Sequence, residues 1–133
     1  MNSARTELIK GYIAKGRDKL SAARDLLQRQ HYDDAVSRAY YYAAFHLAQA
    51  ALLVEGQQAE SHKGVVMLFG LLLVKTGKID RRFGKILANL KDDRESGDYE
   101  AISFIDEETA KRAVEAAEEF CKAVEEYLQP FTV

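Results

Sequence analysis

The chain has 133 residues, with one cysteine, one proline and a formal net charge of −2. This length predicts one domain over residues 1–133 with its own core, and a lone cysteine excludes an internal disulfide framework. The nearly balanced charge excludes attraction of nucleic acid by the whole surface, so such binding requires a local basic patch.

Apolar spacing predicts five helices, because apolar side chains recur every three or four residues. Their predicted bounds, in chain order, are about 4–29, 33–54, 62–75, 80–91 and 106–129. The residues that mark predicted helix ends are Ser61, Gly77, Asp80, Asp106 and Pro130. Together these elements predict an all-α, up-and-down bundle of about five helices with short connections.

The second predicted helix is apolar on two sides. On a helical wheel, one side carries small and aliphatic residues, and the other carries Arg38, Tyr42, Phe45 and Gln49, with His46 at its margin. A helix with two apolar stripes needs two covering neighbours. Either a second layer of this chain or a second copy of the chain is therefore expected to cover it.

Two further features concern helix interiors. Gly64 and Gly70 lie inside the third predicted helix, where glycine costs roughly 1 kcal/mol against alanine. We interpret them as permitting a close crossing with another helix. Cys121 follows Phe120 in the apolar pattern of the fifth helix, which predicts an inert, buried thiol.

Targeting and membrane segments are not predicted. No apolar segment follows the first charges of the N-terminus, as a signal peptide requires. The longest apolar stretch, residues 65–74, is about half the length of a membrane span. The sequence therefore predicts a cytoplasmic protein that does not enter a membrane.

Four sequence blocks, in this order, resemble those of a known family. Residues 37–46 read SRAYYYAAFH and resemble the second-helix signature of uncharacterised HEPN-domain proteins. Residues 62–77, with HKGV, FG and VKTG, look like the third-helix block of that family, and residues 94–99 resemble the segment that closes its fourth helix. The resemblance covers roughly residues 32–128.

The resemblance implies a helical bundle that forms a homodimer, here through helices two and three. Relatives often act beside a small nucleotidyltransferase in prokaryotic toxin–antitoxin pairs, and the family is named for nucleotide binding. Many relatives are metal-independent ribonucleases with an arginine and a histidine, four to six residues later, in a composite site across the dimer.

This sequence departs from the ribonuclease pattern. No histidine follows Arg94 up to Tyr99, and seven residues separate Arg38 from His46. Cleavage by 2′-hydroxyl attack needs a proton acceptor and a cation, and Asp98 is a weak base at the usual carboxylate pKa. The sequence thus favours a non-catalytic, nucleotide- or RNA-associated accessory protein. The alternatives are a ribonuclease using Arg94 with Asp98, or Arg38 with His46, and a protein-interaction module.

Candidate ligand-binding residues lie in three places. Arg38, Tyr42 and Gln49 share one arc of the second helix with His46 nearby, which predicts either a phosphate-holding site or a structural polar network. His62 begins the third helix, as a ligand contact or as a capping or surface histidine. The third place is a group of five basic residues, which predicts phosphate binding or a solvated face. These residues are Lys75, Lys78, Arg81, Arg82 and Lys85. The three histidines lack zinc-ligand spacing, so neither a metal nor another cofactor is predicted.

Overall fold

Helix starts in this chain are set by short polar side chains. The computed structural model describes residues 2–99 and 105–132, with residues 41–42 and 93–99 described by their backbone only. Within these residues, four polar side-chain oxygens each accept a hydrogen bond from a backbone N–H in the first turn of a helix. The four donor–acceptor distances are 2.7 Å from the N–H of Arg5 to Asn2, 2.9 Å from Gly64 to Ser61, 2.8 Å from Arg82 to Asp80, and 2.8 Å from Thr109 to Asp106. The predicted caps Ser61 and Asp80 are thereby confirmed, and Asp106, near which the sequence predicts the fifth helix to start, also caps its helix.

The predicted all-α fold of five helices is confirmed. Helix α1 is Ser3–Gln28, α4 is Arg81–Tyr99, and α5 is Glu107–Leu128, followed by the 3₁₀ turn Gln129–Phe131. Helix α2 spans residues 32–54 as Tyr32–Ser37, the π-helical stretch Arg38–Ala44, and Phe45–Val54. Helix α3 is His62–Phe69 extended by the π-helical stretch Gly70–Val74.

The π-helical stretch of α2 changes which side chains share a face. The N–H of Phe45 donates to the carbonyl oxygen of Tyr40, five residues earlier, instead of the α-helical four. One extra residue per π turn rotates all later positions by about 100° relative to an α-helical wheel. The rings of Tyr40 and Phe45 consequently lie close together, with centroids 6.2 Å apart.

Helix α2 is the central element of the bundle, because it contacts each of the other four helices. Most of its described apolar side chains are buried, including Phe45, which lies on the second predicted side, and Leu52. Other parts of this same chain therefore cover these two positions. The rings of Phe69 in α3 and Phe120 in α5 close the core beside it, with centroids 5.4 Å apart.

A close helix crossing lies at a glycine that the sequence interpretation did not single out. A Cβ atom on Gly16 of α1 would overlap Leu47 of α2 and lie 3.4 Å from the carbonyl oxygen of Ala43. The interpretation of Gly64 and Gly70 as crossing residues is wrong. A Cβ on Gly70 would meet no described atom within 4 Å, and one on Gly64 would meet its own cap residue, Ser61, at 2.9 Å.

Ion pairs connect the outer helices to α5. Arg17 and Arg24 of α1 pair with Glu125 and Glu118, the latter at 3.1 Å, and Arg82 of α4 pairs with Glu119. Exposed pairs of this kind contribute about 0–1 kcal/mol each, so apolar burial dominates the stability. No helix in the described part of the chain is long and apolar enough to cross a membrane.

Candidate functional site

His62 is held in place by two aromatic residues of α2. Its Nδ1 lies 3.0 Å from the hydroxyl oxygen of Tyr40, and its ring stacks on Phe45 with centroids 4.1 Å apart at 25°. Tyr40 is fully buried and His62 is half-buried. The hydrogen bond and the stack together set the orientation of the imidazole. The hydrogen bond occupies Nδ1.

His46 lies on the α1 side of α2. Its ring stacks on Tyr12 with centroids 5.7 Å apart, and its Nδ1 is buried without a hydrogen-bond partner in the described structure. Burial lowers the pKa of His46 below its usual value, and Lys15 and Lys19 add to this effect, while a hydrogen bond with Gln49 opposes it. The neutral ring is therefore favoured at neutral pH.

This burial predicts a pH-dependent loss of stability. The unfolded chain protonates His46 near the ordinary pKa of about 6.5, whereas the folded chain does so only at lower pH. The free energy of unfolding should therefore fall as pH drops below about 6.5, and this fall should level off below the folded-state pKa. Urea unfolding of the wild type and of His46→Gln from pH 7.5 to 5 checks this.

The His46→Gln variant should show a shallower fall than the wild type over this range. His31→Gln removes an exposed histidine from the loop before α2 and serves as the control. Equal pH dependence in the wild type and His46→Gln would contradict the prediction.

The structure describes the side chains of only some of the other predicted residues. Arg38 is half-buried at the start of the π-helical stretch, and Gln49 is half-buried beside a small cavity. The side chains of Tyr42, Arg94 and Asp98 lie outside the described residues, so their roles stay predictions. The burial of Cys121 is confirmed, and burial raises the pKa of its thiol to about 12, which makes it a poor nucleophile.

The five basic residues near the start of α4 divide into two groups. Lys78 forms an ion pair with Glu55, and Arg82 forms one with Glu119. The remaining three, Lys75, Arg81 and Lys85, are exposed and form no ion pair within the described part of the chain. Lys78, predicted to bind a ligand, thus already has a carboxylate partner, whereas Arg81 is exposed to ligands.

Glu55 is a contact point that the sequence analysis missed. Besides pairing with Lys78, its carboxylate accepts a hydrogen bond of 3.3 Å from the hydroxyl of Tyr127. Burial and the nearby carboxylate raise the pKa of Tyr127 to about 12. The Tyr40 contact with His62 was also missed. A buried tyrosine hydroxyl needs a hydrogen-bond partner, and this requirement was the available signal. Among the described side chains, no three His, Cys, Asp or Glu residues are grouped as a metal site requires.

Comparison with known proteins agrees with the resemblance seen in the sequence. The HEPN domain family matches residues 9–127. The UPF0332 protein of Thermotoga maritima is 32% identical over 123 residues, which cover 92% of each chain. A Methanocaldococcus jannaschii protein named "Putative toxin" is 35% identical over 129 residues, which cover 97% of this chain and 95% of its own.

Proposed function

Because the chain belongs to the HEPN domain family, we propose that it is a toxin-like, nucleotide- or RNA-associated protein that works with a minimal nucleotidyltransferase partner. The observation that carries this proposal is the nearly full-length similarity to the relative named "Putative toxin". Since both chains are covered almost completely, the two proteins share the whole bundle. A neighbouring nucleotidyltransferase gene whose product forms a complex with this chain would support the partner.

The cations best suited to bind RNA are Lys75, Arg81 and Lys85, which form no ion pair with the side chains that the structure describes. Arg81 is the first residue of α4, where the helix dipole disfavours a positive side chain. A position that is unfavourable for the helix and has no carboxylate partner among the described residues suits an external anion. Phosphate groups of a nucleotide or an RNA strand provide this anion.

Arg81→Ala is expected to weaken the binding of a single-stranded RNA oligonucleotide. Loss of one phosphate contact should lower the slope of log affinity against log salt concentration by about 0.7. Fluorescence anisotropy over a range of salt concentrations measures both effects. The control is Lys111→Ala, which removes an exposed cation from α5. RNA affinity that is independent of salt and of Arg81 would contradict the proposal.

The burial of His46 favours an accessory role over catalysis by Arg38 and His46. A general base must reach the proton it removes, but the Nδ1 of His46 is buried and its ring stacks on Tyr12, so that His46 could act only through Nε2. The ribonuclease alternative rests on Arg94 with Asp98, or on Arg38 with the Nε2 of His46. It requires the wild type to cut RNA in the presence of a metal chelator and Arg94→Ala to abolish cutting, whereas an intact substrate with the wild type rules it out.

The proposed homodimer has a candidate contact surface on α3. Met67 and Leu71, one turn apart, are 57% and 48% exposed, and Gly70 beside them leaves space for a partner. Large apolar side chains grouped on one surface commonly mark protein–protein contacts. In a two-fold dimer the same surface of each copy would meet.

A further inference from the structure

A small cavity lies between α1, the end of α2 and the loop before α3. Its volume is about 100 Å³, which is less than the roughly 150 Å³ of a cavity that holds benzene. Apolar side chains of Leu52 and Leu53 line it together with four residues that can form hydrogen bonds. These four are Tyr12, Gln49, Gln58 and Glu60. A cavity of this size admits one edge of a planar ring but excludes a sugar and a phosphate.

One of the lining residues is held by His46, because the ring of Tyr12 stacks on the imidazole. Gln49 lies one turn after His46 on the same helix. Because His46 sits at the packed contact of α1 with α2, the stack orients an aromatic face before any ligand arrives. An oriented aromatic face with a few polar groups in a partly apolar cavity is typical of small-molecule sites.

The polar groups match the hydrogen-bonding edge of a particular base. A carboxylate such as Glu60 only accepts hydrogen bonds when ionised, and guanine is the common base with two adjacent N–H donors, N1–H and the 2-amino group. The amides of Gln49 and Gln58 can donate to its O6 acceptor. Tyr12 offers a face on which a base can stack.

We propose that this cavity is a guanine-recognition subsite that takes the base edge-on, with its ribose and phosphate outside. The inference rests on the proposed function for the presence of a nucleotide or RNA ligand. Glu60 accepts from N1–H and the 2-amino group, and the two glutamines contact the remaining polar atoms. The subsite gives the protein a preference for guanine that phosphate contacts at Arg81 do not provide.

Calorimetric titration with GMP and with AMP tests this subsite. We expect wild-type protein to bind GMP about tenfold more tightly than AMP, as one bidentate contact discriminates between bases. Glu60→Gln should lower GMP affinity to about that of AMP, because an amide cannot accept both N–H groups. Glu115→Gln makes the same charge change at an exposed position of α5 and should retain the preference.

The outcomes separate this inference from the proposed function. Equal affinities for GMP and AMP, a GMP preference that survives Glu60→Gln, or no binding of either nucleotide at millimolar concentration would each overturn the subsite. RNA binding that depends on Arg81 but not on Glu60 would overturn the subsite and retain the proposed function. GMP binding that depends on Glu60, without salt-sensitive RNA binding, would retain the subsite and overturn RNA association.

Discussion

Gly16→Ala is expected to lower the free energy of unfolding by about 1–3 kcal/mol, the usual cost of overpacking a core. The added methyl group would overlap the Cδ2 atom of Leu47. Leu47 is fully buried, so it moves only by displacing its neighbours, and the carbonyl oxygen of Ala43 limits the space behind it. Urea unfolding followed by circular dichroism measures the change.

Gly11→Ala provides the matched control on the same helix. A Cβ at Gly11 would meet no described atom within 4 Å. The substitution should therefore raise the free energy of unfolding by up to about 1 kcal/mol through helix propensity alone. The two glycine-to-alanine substitutions are thus expected to change the free energy of unfolding in opposite directions. Stabilisation by both would show that α1 and α2 do not cross closely at Gly16.

Met67→Glu combined with Leu71→Glu is expected to convert the proposed homodimer into monomers. Both side chains are exposed in the single chain, so the double variant should retain its fold and helical content. In the dimer, the four new carboxylates would be buried together without partners, which is strongly unfavourable. We expect the dimer dissociation constant to rise at least about 100-fold, or ~2.7 kcal/mol. Light scattering and analytical ultracentrifugation measure it.

Leu8→Glu is the control for the dimer prediction. Leu8 is another exposed large apolar residue, 44% exposed on α1, and it lies outside the proposed contact. Its substitution introduces one carboxylate per chain, against two in the double variant, and should leave the dimer unchanged. A dimer that persists in the α3 double variant, or that dissociates equally with Leu8→Glu, would contradict α3 as the contact surface.

The candidate site was only partly predictable from sequence, and α2 shows why. A wheel at 100° per residue placed His46 at the margin of the arc that holds Arg38 and Gln49. The π-helical stretch Arg38–Ala44 adds a residue to the turn and rotates the later side chains of α2 about the helix axis, relative to their positions on an α-helical wheel. His46 lies against Tyr12 of α1, while Phe45 faces His62 of α3. The local residue preferences of the sequence RAYYYAA do not predict this rotation.

Local chemistry was sufficient to determine the helices themselves. Polar caps such as Ser61 and Asp106 act through first-turn hydrogen bonds within three residues, and apolar periodicity is likewise a property of neighbouring positions. The sequence alone therefore determined the helix count and the all-α class. Contacts between distant residues depend on how the helices cross, and only the tertiary structure decided them. Examples are the Gly16 crossing, the Tyr40–His62 hydrogen bond, and the cavity that brings Tyr12 and Gln49 to Glu60.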